Sequence, residues 1–278
     1  MSAIKLTTSV GVAEISVSEY QFFANKMMQL TGVSLPENSK NRALMLNRLS
    51  RLIRKLNLRS YAELIVLIQQ DQPEIIDDFV SDLTTNKTDF FREIQHFTFF
   101  KQYLVDHFSK KQNLRIWCSA ASTGAEPYTI AMVVRDTLNP IQVDSTKILA
   151  TDIDLEALDH CRQGVYQKSE ISGLGMEHLN KYFKKKQDGF EVKSEILKMV
   201  HFSQFNLTQA NYRFKNQFDV IFCRNVLIYF EPDMVSQVID MLVSNLSVGG
   251  YLILGQSEAG CVKGKRLQIL GNSIFKKI

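Results

Sequence analysis

The segment from Arg115 to Met132 combines an apolar strand, a turn of small residues and the start of a helix. Pro127 suits the first turn of a helix, where its missing N–H has no intrahelical partner to lose. The small residues of the turn let a ligand approach the backbone closely. Because a strand, turn and helix of this kind open most nucleotide sites in doubly wound sheets, we expect a nucleotide-type ligand here.

The composition of this turn limits the kinds of ligand that it can bind. A dinucleotide fingerprint needs three glycines, and the turn offers only Gly124. The same turn carries Glu126, whose carboxylate would repel a pyrophosphate. The pattern therefore disfavours NAD and favours a ligand with a positive group, a requirement that the ammonium and sulfonium of S-adenosylmethionine meet.

A second apolar strand, which begins at Lys147, ends in acidic residues. In folds of this type the acid that ends the second strand accepts hydrogen bonds from ribose hydroxyls, and Asp152 is the candidate. Its separation from Gly124 exceeds the roughly 20 residues of dinucleotide sites, so the spacing alone is a weak indication. The alternative is that Asp152 or Asp154 only caps the helix that starts near Leu155.

A third apolar strand starts at Phe218 and is continuous, as expected of a central parallel strand buried on both faces. Arg224, Asn225 and Tyr229 follow it. Ligands of open α/β sheets bind outside the carboxyl ends of the strands, so these side chains are candidates for contact with the ligand. The alternative for Tyr229 is an aromatic side chain packed on the helix that follows.

Five motifs, in this order, resemble those of the CheR-type chemotaxis receptor methyltransferases over nearly the whole chain: Thr84–Glu93, Ala120–Tyr128, Ala150–Asp154, Phe205–Leu207 and Phe222–Phe230. The resemblance implies a cytoplasmic enzyme that moves a methyl group from S-adenosylmethionine to receptor glutamates and leaves S-adenosylhomocysteine. One departure is Ala125, where the family often has a second acid beside the one that matches Glu126.

The resemblance also implies the roles of individual residues. It places Arg92 and Tyr229 nearest the transferred methyl group, Arg92 to orient the substrate carboxylate and Tyr229 to close the pocket. Glu126 is expected near the methionine amine or, failing that, on backbone donors, and Asp152 on the ribose. The positions that it implies around the cofactor are Asn86, Thr88, Arg92, Glu126, Asp152, Asn206, Leu207, Arg224 and Asn225.

The residues before about Ser81 have helical periodicity, which predicts an all-α domain over residues 1–83. One face of its second helix is basic, because Arg48, Arg51, Lys55 and Arg59 are three or four residues apart. A plain solvated surface is one interpretation. Nucleic acid is not the expected partner, since no aromatic residues are interleaved with these cations. The family resemblance implies that the face binds the acidic methylation region of a receptor.

Strands and helices alternate from Asn113 to the end, which predicts a parallel sheet with crossover helices. Residues 164–198 interrupt the alternation, and Asp188–Gly189 is typical of a hairpin turn. Gly249–Gly250 predicts a turn into a central strand. We therefore expect a Rossmann-like α/β methyltransferase domain over residues 84–278 that contains a small antiparallel β-subdomain, preceded by the all-α domain.

Composition sets further bounds. The 278 residues are 45% hydrophobic and carry a formal charge of +4, too balanced to require nucleic acid. The histidines lack the spacing of metal ligands, and the four cysteines form no CxxC pair, so we expect no metal and reduced thiols. No apolar run approaches the roughly 20 residues of a membrane span, and the first fifteen lack a signal sequence. These features favour a cytoplasmic protein. We expect a monomer, and the family resemblance implies that it meets the membrane only through receptors.

Three functions compete on this sequence. The first is the O-methylation of chemoreceptor glutamates. The second is methyl transfer to a small molecule or a nucleic acid, which the basic helix keeps open. The third is a non-catalytic module that binds cofactor and docks to receptors, against which the presence of both Arg92 and Tyr229 argues.

Overall fold

A computed structural model describes residues 14–108, 113–209, 212–262 and 266–278. These residues form two compact units, one ending at Leu83 and the other running from Thr84 to Ile278, with residues 31–33 grouped in the second. The first thirteen residues, where a signal sequence would begin, lie outside the described ranges. Within those ranges, no helix combines the length and apolarity needed to cross a bilayer.

The first unit consists of four helices: α1 (Val17–Thr31), α2 (Ser39–Lys55), α3 (Tyr61–Gln69) and α4 (Pro73–Leu83). Asn38 and Ser60 cap α2 and α3 through side-chain oxygens that accept backbone N–H groups. The ring of Phe23 on α1 lies 6.2 Å from that of Tyr61 and 6.0 Å from that of Phe79. This aromatic cluster joins α1, α3 and α4 around one core.

The second unit contains a seven-stranded sheet, in the order β6-β2-β1-β7-β8-β10-β9. Its strands are β1 (Arg115–Cys118), β2 (Lys147–Asp152), β6 (Val200–Gln204), β7 (Phe218–Cys223), β8 (Leu246–Leu254), β9 (Leu267–Gly271) and β10 (Ile274–Lys277). The first five run parallel, and β10 pairs antiparallel with β8 and β9. The predicted α/β sheet is confirmed.

Helices cover this sheet: α5 (Ile94–Phe108), α6 (Ala125–Thr137), α7 (Pro140–Ser145), α8 (Leu155–Gln163) and α11 (Pro232–Asn245). All six residues of β7 are buried. Val220 and Phe222 pack into one hydrophobic cluster, and Ile221 and Cys223 into another. Because successive side chains of a strand point to opposite faces, the two clusters lie on the two faces of the sheet.

The predicted insertion is present. It contains β3 (Val165–Tyr166), α9 (Met176–Tyr182), β4 (Phe183–Lys186), β5 (Gly189–Val192) and α10 (Ser194–Leu197). The three strands form a separate antiparallel sheet in the order β3-β5-β4, with the hairpin turn at the predicted position.

One detail of the prediction is wrong. Gly249 and Gly250 do not precede β8 but lie inside it, where the register against β7 shifts between Phe218 and Val220. Gly249 has a φ of 76°, and a residue in this left-handed region within a strand is typical of a bulge. The glycines therefore bend the strand and do not turn the chain into it.

Candidate active site

The chain reverses its direction of travel across the sheet at β1. From β1 it moves through β2 to β6, and it then returns to β7 on the other side of β1. Such a switch point leaves a crevice outside the carboxyl ends of the strands. Ser119 N donates to Phe222 O at 2.8 Å and Ala121 N to Thr151 O at 2.8 Å, so the turn after β1 is fixed to both neighbouring strands.

This turn contains two residues in the left-handed region, Ser122 with a φ of 50° and Gly124 with a φ of 96°. A Cβ on Gly124 would lie 2.5 Å from the hydroxyl oxygen of Tyr166, so both the conformation and the close approach require glycine. The turn thereby directs Ser122 N toward the end of β2, where it donates to Asp152 Oδ2 at 2.7 Å.

The carboxylate of Asp152 keeps hydrogen-bonding capacity at the end of β2. Its Oδ1 accepts a second backbone N–H, from Asp154, at 3.0 Å. Each carboxylate oxygen has two lone pairs, so each keeps capacity for one more donor, such as a ribose hydroxyl. The residue keeps part of its surface accessible. Burial of the carboxyl group among protein atoms raises the pKa of Asp152 to about 6, because the two N–H bonds offset that burial only in part.

Asp154 has a different role, which settles one sequence alternative. It is the N-cap of α8, with Oδ1 accepting Ala157 N at 3.0 Å. Its Oδ2 accepts Thr84 Oγ1 at 2.7 Å and Asn86 Nδ2 at 2.5 Å. The capping interpretation is therefore confirmed for Asp154, whereas Asp152 is not the cap. Asn86, a predicted cofactor residue, uses its amide to tie the loop before α5 to this cap.

A buried ion cluster lies at the end of β7. Arg224, which is 5% exposed, donates from Nη1 to Glu126 Oε2 at 2.6 Å and from Nη2 to Glu93 Oε2 at 2.9 Å. Burial alone would raise the pKa of Glu93, but the hydrogen bond and charge of Arg224 outweigh it and hold that pKa below its usual value. The same two carboxylates raise the pKa of Arg224 against the opposite effect of burial.

Glu126 was expected near a methionine amine or on backbone donors. In the structure its carboxylate contacts the guanidinium of Arg224 and accepts the thiol of Cys118 at 3.2 Å. Glu126, whose carboxylate would repel a pyrophosphate, is therefore also one half of a buried ion pair. Glu93, the other carboxylate on Arg224, was missed, because no spacing rule connects residues that are 131 positions apart.

Arg92 lies between two left-handed residues, Phe91 with a φ of 55° and Glu93 with a φ of 57°. Non-glycine residues in this region cost of order 1–3 kcal/mol each and persist only where their surroundings hold them. Arg92 O accepts Arg224 Nη2 at 2.5 Å, and Phe91 N donates to Thr129 Oγ1 at 3.2 Å. The guanidinium of Arg92 donates from Nη1 to Lys87 O at 3.0 Å.

Tyr229 ends a single 3-10 turn, Leu227–Tyr229, that precedes α11, and it is half-buried. The alternative that placed it on the following helix is therefore wrong. Asn225, at the start of the same loop, is left-handed with a φ of 57°. Residues of the second unit with a left-handed backbone thus include Ser122 after β1, Asn225 after β7, and Phe91 and Glu93 on either side of Arg92.

The remaining predicted cofactor residues lie beyond β6 and before α5. Asn206 Oδ1 accepts both the backbone N and the hydroxyl of Thr208, at 3.0 and 2.7 Å. Leu207 is buried in the same hydrophobic cluster as Trp117. Thr88 is half-buried. The structure shows a turn-forming role for Asn206, and its contact with the cofactor stays a prediction.

The donor set of the crevice fits S-adenosylmethionine. Carboxylates outnumber guanidinium groups, as a cationic ligand requires; the ionisable groups are Arg92, Glu93, Glu126, Asp152, Asp154 and Arg224. Among the described residues, Ser122 Oγ and Arg224 Nε are buried polar atoms without a hydrogen-bond partner in the protein. Buried polar groups are normally paired, so these atoms point to contacts with a ligand.

Comparison with family profiles decides the relationship. Residues 86–272 match the CheR methyltransferase, SAM binding domain, and residues 18–84 match the CheR methyltransferase, all-alpha domain. The chain belongs to the CheR methyltransferase family. Its predicted fold class is confirmed, and S-adenosylmethionine (SAM) is its cofactor. This CheR family member is accordingly a SAM-dependent methyltransferase.

Curated relatives extend over most of the chain. A chemotaxis protein methyltransferase of Vibrio anguillarum is 36% identical over 251 residues, which are 88% of this chain and 90% of the relative. One from Escherichia coli K12 is 33% identical over 267 residues, covering 94% and 91%. Among solved structures, the glycopeptide N-methyltransferase MtfA complexed with sinefungin has a TM-score of 0.37 and 12% identity over 60% of this chain and 50% of its own.

The basic face of α2 lies in the helical unit and is partly neutralised there. Arg51 Nε donates to Asp82 Oδ1 at 2.7 Å, and Lys55 Nζ to Asp78 Oδ1 at 2.9 Å. Arg48 Nη1 donates to Leu83 O at 2.8 Å. The side chains of Arg51 and Lys55 remain 64% and 46% exposed. The prediction of one helical face is wrong for Arg59, because α2 ends at Lys55 and the left-handed Asn57 turns the chain before Arg59 is reached. The other three predicted residues lie on α2 and also hold it against α4.

Proposed function

We propose that this methyltransferase transfers the methyl group of SAM to glutamate side chains in the cytoplasmic domains of chemoreceptors. The observation that carries the proposal is the likeness to chemotaxis protein methyltransferases over 88–94% of the chain, which includes the helical unit as well as the cofactor domain. The chain then acts in the cytoplasm and reaches the membrane through its receptor substrate.

The site chemistry supports a carboxylate substrate. When bound, SAM supplies an electrophilic methyl group. A glutamate side chain is already ionised near pH 7, since its reference pKa is about 4.3, so no general base is needed. Arg92 orients this carboxylate by a charge-assisted hydrogen bond while its backbone is held by Arg224. Tyr229 donates a hydrogen bond to the carboxylate and covers the pocket. The carboxylate of Asp152 accepts hydrogen bonds from the ribose hydroxyls.

The basic face supports the same substrate class. A methylation region carries glutamates and is therefore acidic. The exposed cations Arg51, Lys55 and Arg59 attract such a surface. Docking then relies on the outer, solvent-facing part of these side chains.

The test is incubation of the purified protein with methyl-labelled SAM and membranes that contain chemoreceptors. We expect label on the receptor that mild base releases as methanol, the behaviour of a carboxyl ester. Membranes without receptors are the matched control. Label that withstands base would indicate nitrogen methylation, and label on the control membranes would indicate another substrate; either result contradicts the proposal.

A further inference from the structure

A buried carboxylate outside the predicted site contacts the loop that carries Tyr229. Glu258 lies in a 3-10 segment, Gln256–Val262, that follows β8, and its side chain is 0% exposed. Its Oε2 accepts Asn225 N at 2.9 Å and Gly255 N at 2.7 Å, and its Oε1 accepts Leu227 N at 2.8 Å. One side chain therefore binds the backbone just beyond the carboxyl ends of both β7 and β8.

The surroundings are shaped for this carboxylate. A Cβ on Gly255 would lie 2.7 Å from Glu258 Oε2 and 2.6 Å from Asn225 Nδ2. Any larger residue at that position would push either the carboxylate or the asparagine aside. Burial raises the pKa of Glu258, and the backbone N–H donors reduce that rise. The fixed donors thus substitute for the solvation that the buried group loses.

The bonds from Asn225 and Leu227 bear on Tyr229 directly. Asn225 has a left-handed φ of 57°, a conformation that needs a specific restraint. Leu227 is the first residue of the 3-10 turn that ends at Tyr229. Because one carboxylate fixes the residue that leaves β7 and the residue that starts the turn, it sets the direction in which Tyr229 leaves the sheet.

We infer that Glu258 is a positioning residue for methyl transfer: it holds the loop from Asn225 to Tyr229 so that the tyrosine faces the reacting groups. This inference rests on the proposed role of Tyr229 in receptor methylation. Glu258 acts only through the backbone of that loop and touches neither cofactor nor substrate. Misplacement of a catalytic group by about 1 Å can cost about 100-fold in rate, so loss of this restraint should be visible in kcat.

The test compares Glu258→Gln with Asp219→Asn. Asp219 is the matched control, because it is also a buried carboxylate whose Oδ2 accepts a backbone N–H, from Arg115, at 2.9 Å, but it lies on β7 at the end opposite to the loop that Glu258 holds. For Glu258→Gln we expect kcat for receptor methylation to fall about 10- to 100-fold while the Kd for SAM changes less than about threefold. For Asp219→Asn we expect lower thermal stability with kcat unchanged.

Hydrogen exchange of the wild-type protein gives a second reading that does not require a folded variant. The amides of Asn225 and Leu227 should exchange slowly, and in Glu258→Gln faster, with β7 still protected. Fast exchange at these amides in the wild type, an unchanged kcat in Glu258→Gln, or equal kcat losses in both variants would each overturn the inference. Wild-type protein that methylates no receptor glutamate would instead refute the proposed function.

Discussion

The carboxyl ends of β2 and β7 lie on either side of β1, and the protein treats charge at them in opposite ways. At β2 the carboxylate of Asp152 accepts two backbone N–H groups and keeps accessible surface and acceptor capacity. At β7 the guanidinium of Arg224 is 5% exposed and bound to two carboxylates and a carbonyl. The first arrangement suits ligand binding, and the second suits the rigid positioning of neighbouring groups.

The difference has an energetic basis. A buried ion with several partners costs a great deal to disrupt, because removal of one charge leaves the others uncompensated. A carboxylate that keeps spare acceptor capacity beside a partly exposed backbone can bind ligand hydroxyls at little cost to the fold. We therefore expect variants at β7 to affect stability and the chemical step, and variants at β2 to affect cofactor affinity.

The largest effect is predicted for Arg224→Ala. It would leave Glu93 and Glu126 buried without their cation, so we expect the free energy of unfolding to fall by about 3–5 kcal/mol. Urea denaturation measures it. Arg162→Ala is the matched control, because its pair with Asp159 is exposed and is expected to contribute at most about 1 kcal/mol. Equal losses in the two variants would contradict the strong stabilisation expected of the buried ion cluster at the end of β7.

The next effect concerns cofactor affinity. Asp152→Ala removes a charged acceptor, so the binding free energy of SAM should weaken by roughly 1.5–3 kcal/mol. Calorimetry with SAM or S-adenosylhomocysteine measures it. Asp159→Ala, an exposed carboxylate on α8, is the control and should bind as the wild type does. An affinity unchanged in Asp152→Ala would exclude that residue from the ribose site.

A pH dependence sharpens the same assignment. The pKa of Asp152 is raised to about 6, so ribose hydroxyls meet an ionised acceptor above this pH and a protonated one below it. SAM affinity should therefore fall as the pH is lowered from 7 to 5, and Asp152→Asn should lose this dependence. Identical pH profiles in both proteins would assign the dependence to another group.

The raised pKa also has a consequence for stability. The unfolded carboxyl ionises near pH 3.9, before the folded one does. Between that pH and about 6 the folded state binds more protons than the unfolded state, so the contribution of Asp152 to the free energy of unfolding declines as the pH rises. Above about 6 it is constant. Urea midpoints of the wild type and Asp152→Asn across this range provide the measurement.

The smallest change in activity is predicted for two exposed cations, Lys55 at the end of α2 and Arg59 just beyond it. Lys55→Gln with Arg59→Gln should lower kcat/KM for receptor methylation about two- to tenfold at low salt and less at high salt, since peripheral charges act mainly on encounter rate. SAM affinity should not change. Lys101→Gln with Lys147→Gln, two exposed cations of the second unit, is the matched control. Equal kcat/KM values for both double variants would indicate that these cations only form a solvated surface and do not bind the receptor.

The strand ends were predictable from sequence, because apolar runs mark strands and the polar residues after them must meet at the same edge of a parallel sheet. Asp152 and Arg224 follow from that argument alone. The partners of Arg224 do not, since Glu93 and Glu126 come from segments far away in the chain. Likewise, nothing local predicts that Phe91 and Glu93 are left-handed, because tertiary contacts hold those conformations.

Receptor specificity and the role of the insertion also lie beyond periodicity. The hairpin at Asp188–Gly189 was predictable, as its turn residues specify it. Gly249 was misread because a glycine within a strand and one before it give the same local signal, and only the register shift against β7 distinguishes them. Arg48, Arg51 and Lys55 were placed correctly on one helix, but Arg59 was not, because the end of α2 at Lys55 interrupts the helical spacing. The contacts of α2 with α4 depend on how the helices pack.

We propose that the end of β2 binds the cofactor, whereas the loop after β7 and the segment at Arg92 serve the chemical step. The most direct test measures the Kd for SAM and kcat at saturating SAM on the same preparations of Asp152→Asn, Arg92→Ala and Tyr229→Phe. We expect SAM to bind Asp152→Asn more weakly while kcat is largely kept, and we expect kcat to fall in Arg92→Ala and Tyr229→Phe while the Kd for SAM is largely kept. Loss of the same parameter in all three variants, or full activity in both Arg92→Ala and Tyr229→Phe, would contradict it.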